Sequence, residues 1–484
     1  MPTENRELQS SSFEAGTLLL APEHLLLRGG PVTGHAVLVQ DGRFADVGPA
    51  PVLKARHAQH TPVEMPGHLL MPGMIDAHHH LTQSFGKSLA YGEPSEIFRR
   101  VWVPLESSLN DEFVYQSAKL AALESLRGGF TTACDAGTRA KGEIGAVARA
   151  TTEAGLRCVL GMICNDGGNE STAEQRSAIR QQAERFLSQW KSDPLVHPSL
   201  AISIPEAASD EMLAAISAMC AEAGTIFQSH VNEHLAAVER SVVKRGLRPL
   251  ELLAKVGALG PQVLIAHGTL VTPSELMLLQ RTDTAFSYNP VASAWKGNAV
   301  APAHLMAELG IRFGLGTDST RSDAFRLMDA AEAAQKFAFS MAVGDTSAGA
   351  GWTWLDHATH EGARAIGLAP RIGEIAVGKE ADFLLVDVDT PELCTSVDLV
   401  WDLVRLAQRD QIAASFVAGR LRLWHGWPLD WDARALMRQV AQTAHDAIAR
   451  APIQRLHPVA AEHKRRALAA AESLAGAAAA GAGR

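Results

Sequence analysis

The chain has 484 residues, of which 47% are hydrophobic and 20% charged, a balance typical of a globular protein with one large catalytic domain and a smaller one. Its 44 basic and 53 acidic residues give a net charge of −9, which argues against binding to nucleic acid or to an anionic membrane surface. Five scattered cysteines, no basic and apolar leader, and no apolar run near the roughly 20 residues of a membrane span favour the cytoplasm.

Both ends of the chain have the pattern of β-strands. Residues 16–70 alternate apolar runs with turns, and the "QDG" at 40–42 predicts a hairpin. The same pattern returns at 372–389 and 414–426. We therefore predict that residues 1–70 and 371–426 pair into one small β-sandwich domain. The remaining segment, 427–484, is predicted to be a helical, Ala-rich tail, to which we assign no function.

Residues 71–370 alternate strand-like runs with helical patterns, such as the helices predicted at 111–126 and 209–224. The eight strand-like runs lie at 73–78, 130–136, 157–164, 200–205, 226–231, 262–267, 285–289 and 312–317. Eight strand–helix units are the number that an α/β fold of the (β/α)8 TIM barrel type needs. The spacing alone also fits an open, doubly wound sheet.

The positions of candidate catalytic residues distinguish the two folds. Five such residues lie at or just beyond the carboxyl-terminal ends of runs 1, 5, 6 and 8: His78, His80, His230, His267 and Asp318. Barrels build their active sites on that face. Because runs 1 and 8 become neighbours only if the sheet closes, this placement favours the barrel.

Two pairs of residues carry much of this interpretation. His78 and His80 are two residues apart on a strand, so both imidazoles can face the barrel mouth while His79 points away. A histidine-rich surface turn is the alternative, which the apolar run before them disfavours.

His230 ends an apolar run and Glu233 follows three residues later. Each alone fits a core histidine or a solvated loop carboxylate, and the pairing strengthens the functional interpretation.

His267 and Asp318 complete the set. Asp318 ends the run "FGLGTD", and a buried carboxylate there needs a partner or a metal. Its alternative role as a helix N-cap suits Ser322 or Asp323 better. Three imidazoles and a carboxylate suit one divalent metal ion, Zn2+ first and Fe2+ second, whereas calcium and magnesium need more oxygen ligands. Such a metal lowers the pKa of its bound water and supplies hydroxide as a nucleophile.

In the order and context of its motifs, the chain resembles the amidohydrolase superfamily. Within it, the closer likeness is to aminohydrolases of aminated heterocycles and to triazine chlorohydrolases. The likeness runs from about residue 16 to 425. It is carried by "LLMPGMIDAHHHL", "LRGGFTTACDAG", "SHVNEHLAAVE", "LLAKVGALGPQVLIAHGTLVTPSEL", "GIRFGLGTDS" and "IGEIAVGKEADFLLVD". The resemblance implies a homodimer or a higher homo-oligomer.

The resemblance also implies a role for each matching residue. Four residues would bind one metal: His78, His80, His230 and Asp318. His267 would orient the metal-bound water or polarise the attacked group. Glu233 would protonate a ring nitrogen of the substrate. Asp318 would also take the proton of the water and pass it to the leaving group, as a general base and acid.

The segments that would line the pocket depart from the pattern of the relatives. The fourth strand lacks the Lys of two-metal relatives, which favours one metal, although a Glu206 bridge would restore a second. "IPEAAS" stands in place of a "HAP" stretch, and "SYNPVASAWKGN" in place of a "PxSN"-like stretch. The pocket candidates are therefore interpretations from position, each with core packing or a surface loop as its alternative: Gln83, Trp102, Glu206, Asn289 and Trp295.

Hydrolytic deamination of a small aminated nitrogen heterocycle, of purine, pyrimidine, pterin or triazine type, is the leading prediction. It depends on Glu233, which offers an acid to a ring nitrogen, and on a metal-bound hydroxide. The alternative is hydrolysis of an exocyclic amide, urea or carbamate C–N bond by the same site. A non-catalytic barrel scaffold is a third interpretation, which the complete ligand set argues against.

Overall fold

The computed structural model describes residues 8–93, 96–341, 344 and 351–481, so 1–7 and 482–484 of the predicted end segments lie outside the described residues. The strands of the end sheet are β1 (Thr17–Leu27), β2 (Gly30–Thr33), β3 (His35–Gln40), β4 (Arg43–Pro49), β5 (Pro62–Pro72), β14 (Phe383–Asp387), β15 (Ile412–Val417) and β16 (Arg420–Trp424). The strands of the central sheet are β6 (Met74–His79), β7 (Phe130–Asp135), β8 (Arg157–Ile163), β9 (Val196–Ala201), β10 (Phe227–Val231), β11 (Val263–His267), β12 (Ala285–Tyr288) and β13 (Phe313–Leu315).

Helices connect and cover these strands. The α-helices are α1 (Ala50–Arg56), α2 (Val103–Glu106), α3 (Asp111–Arg127), α4 (Gly145–Ala154), α5 (Ala173–Trp190), α6 (Asp210–Ala223), α7 (Leu235–Arg245), α8 (Pro249–Lys255), α9 (Pro273–Thr282), α10 (Pro290–Lys296), α11 (Ala303–Glu308), α12 (Ala324–Gln335), α13 (Gly351–Ala358), α14 (His360–Ala365), α15 (Leu399–Arg405), α16 (Ala433–Arg450) and α17 (Ala460–Gly481). Short 3-10 turns lie at Ser10–Phe13, Ser84–Ala90, Pro205–Ala207 and Arg409–Gln411, and π turns at Phe98–Trp102 and Lys336–Ser340. Among the described residues, none of these helices combines the length and the apolarity needed to cross a membrane.

The central sheet is a parallel barrel. Strands β6 to β13 pair in chain order. Just beyond β13, Asp318 N–H donates to His78 O at 2.8 Å and Thr317 N–H donates to the Asp76 carboxylate at 2.9 Å. These bonds join the last strand to the first, so the predicted (β/α)8 barrel is confirmed.

The fourth barrel strand lies four residues earlier than the sequence predicts. The prediction was 200–205, whereas β9 is Val196–Ala201, and the apolar residues after it lead into the 3-10 turn at Pro205–Ala207. Pro198 explains the error, because proline cannot donate to a ladder and argues against a strand interior. The other seven runs coincide with β6, β7, β8, β10, β11, β12 and β13.

The two chain ends share one curled sheet, in the order β16-β15-β14-β5-β1-β3-β4, with β2 beside β1. The predicted hairpin joins β3 and β4, and Asp41 and Gly42 have the positive φ angles, 50° and 76°, of a type I′ turn. The sheet curls so far that Phe44 of β4 contacts Phe383 of β14, with ring centroids 5.9 Å apart. One sheet thus encloses an apolar core as a sandwich does. The domain boundaries at 70, 370 and 426 stay a prediction.

The C-terminal helices extend over the barrel. Thr443 of α16 donates to Gln116 of α3 at 3.2 Å. The segment between α16 and α17 then reaches the loop after β6, where Leu456 N–H and His457 N–H donate to the Glu93 carboxylate at 2.9 and 3.1 Å. This loop leads to the mouth of the barrel, so the tail contacts a wall of the candidate site.

Candidate metal centre and active site

Imidazole nitrogens and one carboxylate converge where β6, β10 and β13 end. His80 Nε2 lies 3.1 Å from His230 Nε2 and 3.4 Å from Asp318 Oδ1. His78 Nε2 lies 3.5 Å from the same oxygen of Asp318. His230 is half-buried and the other three residues are buried. The structure therefore brings together the four residues that the sequence analysis predicts as metal ligands.

The spacing of these atoms fits a divalent metal. Ligand atoms about 2.1 Å from a tetrahedral zinc ion lie roughly 3.4 Å from one another. Nε2 of His78 is buried and has no hydrogen-bond partner among the described residues. A buried polar atom without a partner is unfavourable, and a metal bound to its lone pair accounts for it. The donor set suits zinc or ferrous iron.

His230 is oriented for metal binding by the backbone of the barrel. Its Nδ1–H donates to the carbonyl oxygen of Ser203 at 2.7 Å, which leaves the Nε2 lone pair for a metal. Burial lowers the pKa of His230 and that of His80 well below the ordinary value. Both rings are therefore neutral at physiological pH, which is the form that binds metals.

Asp318 projects from a strained turn after β13. Asp318 and Ser319 have φ angles of 52° and 58°, a left-handed conformation that costs non-glycine residues about 1–3 kcal/mol. Ser319 Oγ accepts a hydrogen bond from His80 N–H at 2.8 Å and donates one to His80 O at 2.7 Å. These bonds offset the strain and fix the turn against His80, which directly follows β6.

Glu233 faces the cluster of four candidate metal ligands. Beside it lies a lysine for which the sequence predicted no role. Lys296, the last residue of α10, donates to Glu233 Oε1 at 2.9 Å and to Asp318 Oδ2 at 2.5 Å. Burial raises the pKa of Glu233, but His267 and the Lys296 ammonium outweigh it and hold that pKa below its ordinary value. Glu233 is therefore a carboxylate at neutral pH.

His267 ends β11 and reaches the same space from the other side. It is buried, and its φ angle is 76°. Nε2 lies 3.9 Å from Glu233 Oε2, and Nδ1 lies 3.1 Å from the amide nitrogen of Asn289. Burial lowers the pKa of His267 to about 4, so the ring is neutral at physiological pH. His267 thus lies beside the metal ligands, as predicted, and its far side contacts Asn289.

A cavity that is partly open to solvent lies above the metal ligands, and His80, His230 and Asp318 form part of its lining. Two of the predicted pocket residues, Gln83 and Trp102, line it. Asn289 lies behind His267 with 1% of its surface exposed, and Trp295 packs edge-on against Tyr91. Among the described residues, the lining of this cavity includes neither Asn289 nor Trp295.

Glu206 lines an adjoining cavity instead. Its carboxylate accepts a hydrogen bond from Arg240 Nε at 2.8 Å. Within the described residues, the clusters of side chains that could hold a metal do not include Glu206. Its engagement with Arg240 favours the single-metal prediction over the two-metal alternative.

Much of the cavity wall escaped the sequence analysis. Phe98 lies on the loop after β6, and the Arg139 guanidinium stacks over its ring at 4.3 Å while donating to Glu106 at 2.7 Å. Glu96 lies 3.6 Å from His234 across the wall. No short motif marks these residues, because loops distant in sequence meet only in the folded barrel. For Lys296, the sequence offered one indication: it lies in the segment after the seventh barrel strand, close to where a barrel builds its active site.

The comparisons with known proteins agree with this geometry. Residues 69–422, well over half of the chain, match the model of the Amidohydrolase family. The chain belongs to the amidohydrolase family. The predicted family, barrel fold and hydrolysis of carbon–nitrogen bonds are thereby confirmed, and so is dependence on a metal.

Relatives of similar length narrow the reaction. The chain is 30% identical to a 5-methylthioadenosine/S-adenosylhomocysteine deaminase of Syntrophobacter fumaroxidans, over 80% of this chain and 87% of the relative. It is 31% identical to a 5'-deoxyadenosine deaminase of Methanothermobacter thermautotrophicus, over 78% and 86%. A crystal structure of an adenosine deaminase from Xanthomonas campestris with bound zinc superposes with a TM-score of 0.81, at 25% identity, over 89% and 98% of the chains. The predicted reaction class, deamination of an aminated nitrogen heterocycle, is confirmed.

Proposed function

We propose that this amidohydrolase deaminates a purine nucleoside of the adenosine type whose 5′ position is modified. The observation that carries the proposal is the Lys296 ammonium, which joins Glu233 to Asp318 at the convergent metal ligands. The deaminases of adenosine derivatives among the relatives supply the substrate class. The metal we propose is a single zinc ion held by His78, His80, His230 and Asp318. Bound there, zinc would polarise a water and lower its pKa toward neutrality.

The residues around the cluster can move the protons of such a reaction. Glu233 is a carboxylate at neutral pH, so it must first accept a proton from the attacking water. It then gives that proton to the ring nitrogen next to the attacked carbon, while the oxygen adds to the carbon. Asp318 passes the second proton of the water to the amino group, and ammonia leaves. The product carries a carbonyl oxygen and a protonated ring nitrogen, which balances the four hydrogens involved.

Lys296 and His267 would support these transfers. The Lys296 ammonium contacts both carboxylates and limits the repulsion between them. His267 Nε2 has no hydrogen-bond partner among the described residues and faces the same space. A hydrogen bond from it to the attacking oxygen would stabilise the negative charge that develops there.

The cavity wall suits a nucleoside. Phe98 and Trp102 offer flat aromatic surfaces to a planar base. Glu96 and His234 offer polar groups to the hydroxyls of a sugar. The wall thus contains aromatic side chains that suit a base and polar side chains that suit a ribose.

Ammonia release from zinc-loaded enzyme tests the proposal. The panel contains 5'-methylthioadenosine, S-adenosylhomocysteine, 5'-deoxyadenosine and adenosine, then guanine, cytosine, a pterin and an aminotriazine. We expect kcat/KM above about 10⁴ M⁻¹s⁻¹ for one of the adenosine derivatives, within the ordinary range of enzymes. A larger value for a free base or a triazine would contradict the nucleoside proposal. Silence across the panel with zinc bound would favour the amide, urea or carbamate alternative.

We also propose a cytoplasmic homodimer or higher homo-oligomer. All five cysteines are free thiols, which supports a reducing compartment. The oligomer is proposed from the resemblance to the family. Light scattering at micromolar concentration tests it, and a monomer would contradict it.

A further inference from the structure

A buried hydrogen-bonded chain lies behind His267. The hydroxyl of Ser287 donates to Asn289 Oδ1 at 2.8 Å, and Asn289 Nδ2 lies 3.1 Å from His267 Nδ1. All three side chains are 1% exposed or less. Neither Ser287 nor Asn289 lines the cavity, as far as the described residues go, so their contact with the site runs through His267.

We propose that Asn289 is a positioning residue that holds His267 in the neutral tautomer with its proton on Nε2. An amide nitrogen only donates, so the Asn289 amide occupies the lone pair of Nδ1. The single proton of the neutral ring then resides on Nε2, which faces the site. His267 becomes a hydrogen-bond donor to the reacting oxygen.

The surroundings of Nε2 favour this tautomer. Glu233 Oε2 lies 3.9 Å away, and a carboxylate oxygen of Asp318 lies within 4.8 Å of a ring nitrogen of His267. Carboxylates only accept hydrogen bonds, so a lone pair pointing toward them is unfavourable and an N–H is favourable. The amide behind the ring and the carboxylates in front of it therefore place the proton on the same nitrogen.

This tautomer decides which histidines bind the metal. A nitrogen of His267 lies within 4.8 Å of those of His78 and His230, so distance alone would allow it to be a ligand. A metal needs a lone pair, and Nε2–H has none. Asn289 thus excludes His267 from the ligand set and keeps it available for substrate.

Close packing keeps the amide in place. A Cβ on Gly316 would lie 2.3 Å from Asn289 Oδ1 and 2.5 Å from Ser287 Oγ. Those distances leave no room for a side chain at 316. Gly316, the second glycine of the "GLGTD" motif, therefore leaves the space in which the side chains of Ser287 and Asn289 contact each other.

Nitrogen-15 NMR of the zinc-loaded enzyme, labelled at histidine, tests the proposal without substrate. The chain has 19 histidines, so the spectrum of His267→Gln assigns the signals of His267. We expect Nε2 to show the shift of a protonated nitrogen and Nδ1 that of an unprotonated one. A protonated Nδ1 in the wild type would overturn the proposal, whatever the substrate proves to be.

The substitution Asn289→Asp gives a kinetic test, which rests on the proposed deaminase function. A carboxylate accepts from Nδ1–H and would move the proton to that nitrogen. We expect kcat to fall about 10- to 100-fold, the range typical of residues that orient histidines at metal sites, with the zinc content unchanged. Asn110→Asp, at the N-cap of α3, controls for an added carboxylate. Wild-type kcat in Asn289→Asp would overturn the proposal, and if this variant does not fold, the wild-type spectrum decides.

Discussion

The cluster of metal ligands and the rest of the cavity wall adjoin, but they are held in place differently. Ligand side chains of the cluster lie on strand ends and are held by backbone groups, such as His230 by Ser203 O and the Asp318 turn by His78 O. The wall lies on loops and is held by side-chain ion pairs, such as that of Arg139 with Glu106.

This difference indicates that the ligand cluster determines the reaction, whereas the rest of the wall determines which substrate binds. Backbone hydrogen bonds of a closed barrel persist when side chains change, so a cluster fixed by them suits chemistry shared by many relatives. Ion pairs between loops change with each substitution in either partner. We infer that variation in the wall changes the substrate while the cluster retains its reaction.

The largest expected effect is that of Asp318→Asn. The change removes a metal ligand and the group that moves the second proton, so turnover should fall by more than about 1,000-fold. Zinc content should fall with it. Ammonia release and elemental analysis measure the two. Asp323→Asn, at the N-cap of α12, is the matched control and should keep both. Full zinc occupancy in Asp318→Asn would contradict its role as a ligand.

Glu233→Gln separates proton transfer from metal binding. We expect a loss of about 100- to 10,000-fold in turnover, because the amide cannot carry the proton. Zinc content should be unchanged, since Glu233 is not among the four proposed ligands. Glu239→Gln, on the exposed face of α7, should behave as the wild type. Full activity in Glu233→Gln would show that another group protonates the ring.

Lys296→Met tests the ion pairs of Lys296 with Glu233 and Asp318. Without the ammonium, the pKa of Glu233 should rise, because Lys296 is one of the charges that lower it. Glu233 must be ionised to accept a proton, so the acidic limb of kcat/KM should move to higher pH. A pH–rate profile measures this shift, with Lys255→Met, an exposed residue, as control. An unchanged limb would mean that Lys296 does not set the charge of Glu233.

The smallest effect concerns the contact between the wall and the tail. The Glu93 carboxylate accepts from two backbone N–H groups and pairs with Arg100 and Arg455. Burial raises its pKa, but these partners outweigh it and lower the pKa to about 2. Glu93 therefore stabilises the fold above its unfolded pKa, near 4.5, and this contribution is lost as the pH falls toward 2.

Glu93→Gln should remove this pH-dependent part of the stability. Denaturant midpoints between pH 5 and pH 3 measure it, and the decline toward low pH should be shallower in the variant than in the wild type. KM should rise a few-fold, since the loop after β6 carries Phe98 and Trp102. Equal pH slopes in the two proteins would show that the paired Glu93 does not stabilise the fold.

Local patterns in the sequence predicted most of the elements. Helix α6 starts after Ser209, whose side chain accepts from Met212 N–H, and stops at Gly224, as the predicted range of 209–224 implies. The error at β9 arose where a proline interrupted the apolar run. Local propensity identifies an element well when its boundaries carry caps and poorly when a partner strand defines the boundary, as β8 does for β9.

By itself, the sequence determined the barrel, the candidate ligands and Glu233, because each ligand follows an apolar strand and the ends of parallel strands meet on one face. Only the tertiary structure decided that Lys296 contacts the carboxylates of Glu233 and Asp318. It also decided that Glu206 forms an ion pair with Arg240. It also decided that Asn289 lies behind His267 and not in the cavity. These contacts join residues on separate loops, and their distances depend on how far each loop bends over the barrel. No local pattern encodes that quantity.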